Sequence, residues 1–188
     1  MKTGKTVKVL LTAATAAGML AGCGSKTDTD TFRFASELDI QGMDSTVVDD
    51  GMSFNAVHAI TDGLTAVNEK GKTAPAIAKS WDVSDDGKTY TFHLRNAKWS
   101  NGDKVTANDF VYSWRKIIKN AGNYAYMLGS GGASVKNADA LMELGANATD
   151  EQMATLGVTA KDDKTLVVEL ENKVPYFTDL MAFPCYFP

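Results

Sequence analysis

The stretch Trp81–Arg95 constrains the fold more than any other part of the chain. Trp81-Asp82-Val83-Ser84 reads as a short strand and Asp85-Asp86-Gly87 as a turn in which glycine takes positive φ. Lys88–Arg95 (KTYTFHLR) then alternates without a break. Tyr90, Phe92 and Leu94 fall on one face, and Thr89, Thr91, His93 and Arg95 on the other. This is the period of a hairpin strand with one buried side.

The flanking sequence supplies elements of the same size. Trp99-Ser100-Asn101-Gly102-Asp103 is a turn, and Thr106 with Asp109 provides a start signal for a helix. Phe110, Trp114, Ile117 and Ile118 follow at i, i+4, i+7 and i+8, a stripe for the core, with Arg115, Lys116 and Lys119 toward the helix end. Upstream, Thr31–Leu38 reads as a strand, Met52–Ile60 as a short helix and Gly63–Val67 as a strand leading to a turn at Asn68–Gly71. Downstream, Asn120–Ser134 is too rich in glycine and small residues for a regular element. Asn137–Gly145 and Thr149–Leu156 read as short helices, and Gly157–Ala160 with Lys164–Glu171 as a second hairpin burying Leu166, Val168 and Leu170. A last helix is opened by Pro175, with Tyr176, Leu180 and Phe183 as its apolar side. The fold class these elements predict is α/β with mixed helix and sheet.

The start of the chain predicts its compartment. Lys2, Lys5 and Lys8 precede an uncharged apolar run, Val9–Ala21, which is shorter than the about 20 residues a spanning helix needs. Residues 1–22 therefore read as a signal peptide. Leu20-Ala21-Gly22-Cys23 looks like the lipobox of bacterial lipoproteins, in which the Cys23 thiol is diacylated, and 23–30 reads as a flexible tether. Cleavage before Cys23 removes three lysines and no acid, taking 19 basic residues to 16 against 23 acidic ones, a net charge of −7. That balance argues against nucleic acid as a partner. With Cys23 acylated, Cys185 has no partner for a disulfide; it reads as a small buried apolar residue, with a reactive thiol as the alternative. The apolar, aromatic ending Ala182–Pro188 suggests an interruption inside a fold, hence a fragment.

Enzymatic and cofactor motifs are weak. Gly71-Lys72-Thr73 lacks the first glycine of a phosphate loop, since position 66 is Ala66. No serine lies in a Gly-x-Ser-x-Gly turn, and His58 and His93 are the two histidines present. Neither an enzyme, a metal site nor a cofactor is expected.

The connected run from Ala78 through Phe110, with Trp81, Asp86, Gly87, Phe92, Leu94, Arg95, Trp99, Gly102, Asp109 and Phe110, resembles the signature of the family 5 solute-binding proteins of oligopeptide, dipeptide and nickel ABC importers. Asn101 departs from the family's usual aspartate in a turn that either residue shapes. Asp62-Gly63-Leu64, Tyr112-Ser113-Trp114-Arg115 and Gly157–Phe177 extend the likeness and favour the oligopeptide branch. The resemblance implies a periplasmic-binding-protein-like fold of two lobes closing on a ligand, of which this chain carries the N-terminal portion. Residues 31–45 and 172–188 would belong to the first lobe, the latter truncated, and 46–171 to a smaller domain. It further implies an oligopeptide as ligand, an ABC transporter permease as partner and a lipid-anchored place on the outer face of the cell membrane. By the same resemblance, Asp62, Gly63 and Leu64 and the loop tyrosines Tyr124 and Tyr126 are candidate ligand contacts, with ordinary packing as the alternative; the signature residues are structural. A peptide-pheromone receptor and a surface hydrolase are the rival readings, and a metal-chelate or sugar ligand is a further alternative.

Overall fold

The structure is a computed structural model that describes residues 35–188. Cys23, the signal segment and the first half of the first expected strand lie outside those residues. Ala35, Ser36 and Glu37 are exposed and carry no regular element, so the part of the expected Thr31–Leu38 strand that is described does not form one. Ser36, at the third apolar position of that alternation, breaks its face.

The unit from Leu38 to Pro188 is built on a four-stranded antiparallel sheet, beside which lies a two-stranded ribbon. In chain order the elements are α1 (Gly51–Ile60), β1 (Thr65–Val67), β2 (Thr73–Pro75), β3 (Ala78–Val83), β4 (Thr89–Leu94), α2 (Ala107–Lys119), α3 (Ala138–Leu144), α4 (Asp150–Met153), β5 (Val158–Asp162), β6 (Thr165–Glu169) and α5 (Phe177–Leu180). The ribbon is β1–β2 and the larger sheet runs β3-β4-β6-β5. The alternating strand β4 is central, with Phe92 opposite Trp81 of β3 on one side and Leu166 of β6 on the other.

The expected strand face is the buried one. Tyr90, Phe92 and Leu94 are buried together with Leu166, Val168 and Leu170, and α2 covers them with Phe110, Trp114, Ile117 and Ile118. Burying each such side chain contributes about 1.5–3 kcal/mol. Gly87, at φ +70°, turns the chain between β3 and β4, and Asp86 fixes that turn by accepting from the Ser84 hydroxyl at 2.5 Å and the Lys88 amide at 3.0 Å. At the start of α2, the Thr106 amide and hydroxyl both donate to Asp109 Oδ2, at 2.7 and 3.1 Å. Thr149 and Gln152 form a second reciprocal cap on α4.

One expected face is rotated. Tyr176 does not lie on the apolar side of the last helix but precedes it and is 53% exposed. Pro175 lies in a turn closed by the Phe177 amide on the Val174 carbonyl, so α5 starts at Phe177. Phe177 and Met181, four residues apart, then point inward, and Phe177 meets the Tyr90 ring at 4.4 Å. Leu180 and Phe183 remain packed against the core as expected. No helix among the described residues is long and apolar enough to cross a membrane.

Candidate functional site

Two polar atoms on the inner side of α2 tie the end of the chain to the helix. Ser113 Oγ donates to the Phe187 carbonyl at 2.6 Å, and Trp114 Nε1 to the Tyr186 carbonyl at 3.0 Å. Tyr186 is fully buried, and its hydroxyl reaches the Met127 carbonyl at 2.5 Å. Burial pushes the ionisation of that hydroxyl well above the ordinary tyrosine value, so it stays a donor. The segment after α2, which the sequence marks only as irregular, is thereby pinned from below. It contains a 3-10 turn over Ala125–Met127. Gly132 packs so closely on Met127 that a Cβ would overlap its backbone.

That loop presents Tyr124 and Tyr126. Tyr124 packs edge-on to Phe54 of α1 at 5.2 Å and tilted against Phe183 at 5.4 Å, and Phe54 meets Phe183 at 5.1 Å. On this floor Tyr126 stacks at 6.1 Å from Tyr124 and is 52% exposed. Aromatic pairs at such spacings contribute beyond the area they bury. The result is a rigid aromatic shelf with one open ring, suited to apolar side chains or the flat faces of peptide bonds.

Asp62, Gly63 and Leu64 lie apart from this shelf. Asp62 lines a cavity of about 210 Å³ with Thr65, Val67 and Phe187, among others, and Tyr124 and Tyr126 do not line it. The Asp62 carboxylate accepts from Arg95 Nη2 at 3.0 Å, while Arg95 Nε donates to the Ala76 carbonyl. Gly63 is buried where a Cβ would overlap the Met181 carbonyl and the Phe187 ring. Leu64 is fully buried, and its carbonyl accepts from the amide of Ala78 at 2.9 Å. Asp62 is therefore the one member of this triplet with a side chain at the surface.

The signature residues serve the scaffold. Trp81 packs on Phe92, the Gly102 amide donates to the Trp99 carbonyl, and Phe110 is fully buried. His93 pairs with Asp82 at 2.8 Å, and no cluster of three or more metal-ligating side chains occurs among the described residues. Cys185 is buried, and burial pushes its thiol well above the ordinary value, which disfavours the reactive-thiol alternative. Phe54 and Phe183 escape sequence reasoning as parts of the shelf, as does Tyr186 as the support beneath it, because these contacts join segments far apart in the chain.

This fold recurs in known proteins. The substrate-binding domain of an oligopeptide ABC transporter from Bacillus anthracis superposes with a TM-score of 0.75 at 40% identity, covering 82% of this chain and 29% of that one. Listeria monocytogenes OppA bound to peptide gives 0.69 at 40% identity, over 78% of this chain and 28% of its own. These neighbours are two-lobed periplasmic-binding-protein-like proteins, so the α/β unit described above is part of that fold. A dipeptide-binding protein of Lactococcus lactis subsp. cremoris is 39% identical over 192 residues, spanning 100% of this chain and 33% of the relative. Residues 72–188, more than half of the chain, match the model for bacterial extracellular solute-binding proteins, family 5. The chain belongs to this family. It spans about a third or less of the length of the curated relatives it matches.

Proposed function

We propose that this chain is part of an extracytoplasmic lipoprotein that captures oligopeptides and delivers them to the permease of an ABC importer. The observation that carries this reading is the 39% identity, over the whole chain, to a protein named for dipeptide binding. The shelf of Phe54, Tyr124, Tyr126 and Phe183 gives it a site. An extended peptide lies across the exposed Tyr126 ring, its backbone hydrogen-bonded as an added strand and its side chains in roomy pockets. Asp62 stands ready for a cationic group, at the cost of its pairing with Arg95.

Residues 31–45 and 172–188 contribute to the first lobe and 46–171 form the smaller domain. A separate apolar cluster joins Val48 and Val57 of the smaller domain to Phe187 of the 172–188 segment. Closure of a second lobe over the shelf buries the peptide and presents both lobes to the permease. Diacylation of Cys23 holds the protein on the membrane.

Calorimetry with a mixed pool of short peptides tests the ligand. Tyr126→Ala is expected to lower affinity about tenfold, the worth of one exposed aromatic contact; undiminished affinity removes the shelf from the site. Growth with a labelled fatty acid tests the anchor. Label is expected in the wild-type chain and absent from Cys23→Ser, and an unlabelled wild type held in the cytosol contradicts the reading.

A further inference from the structure

A groove of about 560 Å³, larger than the cavities at Asp62, runs along the solvent face of α2 toward α4. Tyr112, Arg115 and Lys119 line it at successive three- and four-residue steps, so they share one face of the helix. Lys116 stands beside them, buried Met153 contributes an apolar floor, and Asp150 is the one carboxylate in the lining. Three cations against Asp150 in the lining and Asp44, which pairs with Lys116, leave one net positive charge, a local reversal in a chain with net charge −4.

The two lysines have structural reasons to be there. Both lie in the last turn of α2, where a cation offsets the helix dipole. Lys119 donates to Asp150 at 3.1 Å and Lys116 to Asp44 at 2.5 Å. Arg115 has no such account. Its Nε is buried without a hydrogen-bond partner, and no ion pair reaches its guanidinium among the described residues. Nε is closed to solvent, so an acceptor entering the groove meets Arg115 through the rest of its guanidinium, which lines the groove. Tyr112 on the same face is 69% exposed and leaves its ring open to solvent.

We propose that this groove is a binding site for a phosphate monoester. The Arg115 fork takes phosphate oxygens in the paired geometry that guanidinium favours. Lys116 and Lys119, each shared with one carboxylate, Asp44 and Asp150, stand beside Arg115 and leave one net positive charge toward the about −1.5 to −2 that such a group carries at pH 7. The Tyr112 ring and Met153 cover the group to which the phosphate is attached. The ester reaches the groove either free in solution or as the headgroup of a lipid. This site shares no residue with the peptide shelf and does not depend on it.

The test is a nuclear magnetic resonance titration of the isotopically labelled 188-residue chain with inorganic phosphate and with phenyl phosphate, at ionic strength held constant with chloride. Saturable shifts centred on α2 and α4 are expected, with phenyl phosphate binding more tightly than phosphate. Arg115→Gln should weaken both about tenfold or more. Tyr112→Ala, at an exposed side chain, should keep phosphate binding and erase the advantage of the phenyl ester. Vesicles with and without phosphatidic acid separate the sources. Sedimentation with phosphatidic acid, reversed by free phosphate, assigns the lipid headgroup; binding of the soluble esters alone assigns a free ester. The proposal is overturned by the absence of saturable shifts, by shifts centred away from α2 and α4, or by unchanged phosphate affinity in a folded Arg115→Gln variant. If that variant fails to fold, the wild-type shift map together with Tyr112→Ala decides.

Discussion

At the scale of single residues, Asp44 shows how a loop outside the sheet is held. Its carboxylate accepts from Lys116 of α2 and from the Thr46 hydroxyl and amide. Burial works to raise its pKa, but the hydrogen bonds from Lys116 and Thr46 outweigh it and hold it below the ordinary carboxylate range. A carboxylate whose folded pKa lies below its unfolded value stabilises the fold above that unfolded value, about 3.9, and loses the contribution as pH falls through the folded value. With the side chain 42% exposed, solvent screening keeps the contribution within about 1 kcal/mol. Asp44→Asn is therefore expected to lower the denaturation midpoint at pH 7 and to converge with the wild type once the pH has fallen below the folded-state pKa of Asp44. A difference that persists unchanged in acid would place the effect in packing and not in charge.

At the scale of elements, α2 depends on its first turn. Asp109 accepts two hydrogen bonds from Thr106, and the helix carries four fully buried apolar side chains into the core. Asp109→Ala is expected to cost about 1 kcal/mol in chemical denaturation, whereas Asp109→Asn, which keeps an acceptor oxygen, should cost less. Equal losses for the two variants would mean the cap does not act through hydrogen bonding.

This cap and the β3–β4 hairpin were legible because their signals are local: a period of two, a period of 3.6, and residues that favour turns and helix starts. The last helix was less so. Its start depends on a turn closed by Val174, and a shift of one residue exchanges Tyr176 for Phe177 in the core. The aromatic shelf was hardly legible at all. Tyr124 and Tyr126 occupy a segment without periodicity, and their placement rests on partners far away in sequence, such as Tyr186 beneath Met127 and Asp49 beside Asn123. The unpartnered Arg115 was likewise invisible, since at helix spacing it reads as an ordinary cation near a helix end.

At the scale of the whole molecule, the antiparallel sheet and its helical cover form a scaffold that holds an aromatic shelf at one end of α1 and α2. The chain spans about a third of its curated relative, so the proposed peptide contacts are those of one side of a cleft. One-sided contacts retain geometry but lose the burial that closure supplies, so weak, saturable binding is expected. The most direct measurement is a resonance-by-resonance titration of the 188-residue chain with short apolar peptides at millimolar concentration. The account predicts saturable shifts at Phe54, Tyr124, Tyr126 and Phe183, with the affinity read at Phe54, Tyr124 and Phe183 lowered about tenfold by Tyr126→Ala while the spectrum of the sheet is unchanged. Shifts absent from these four residues at saturating peptide, or the same affinity in Tyr126→Ala, would contradict it.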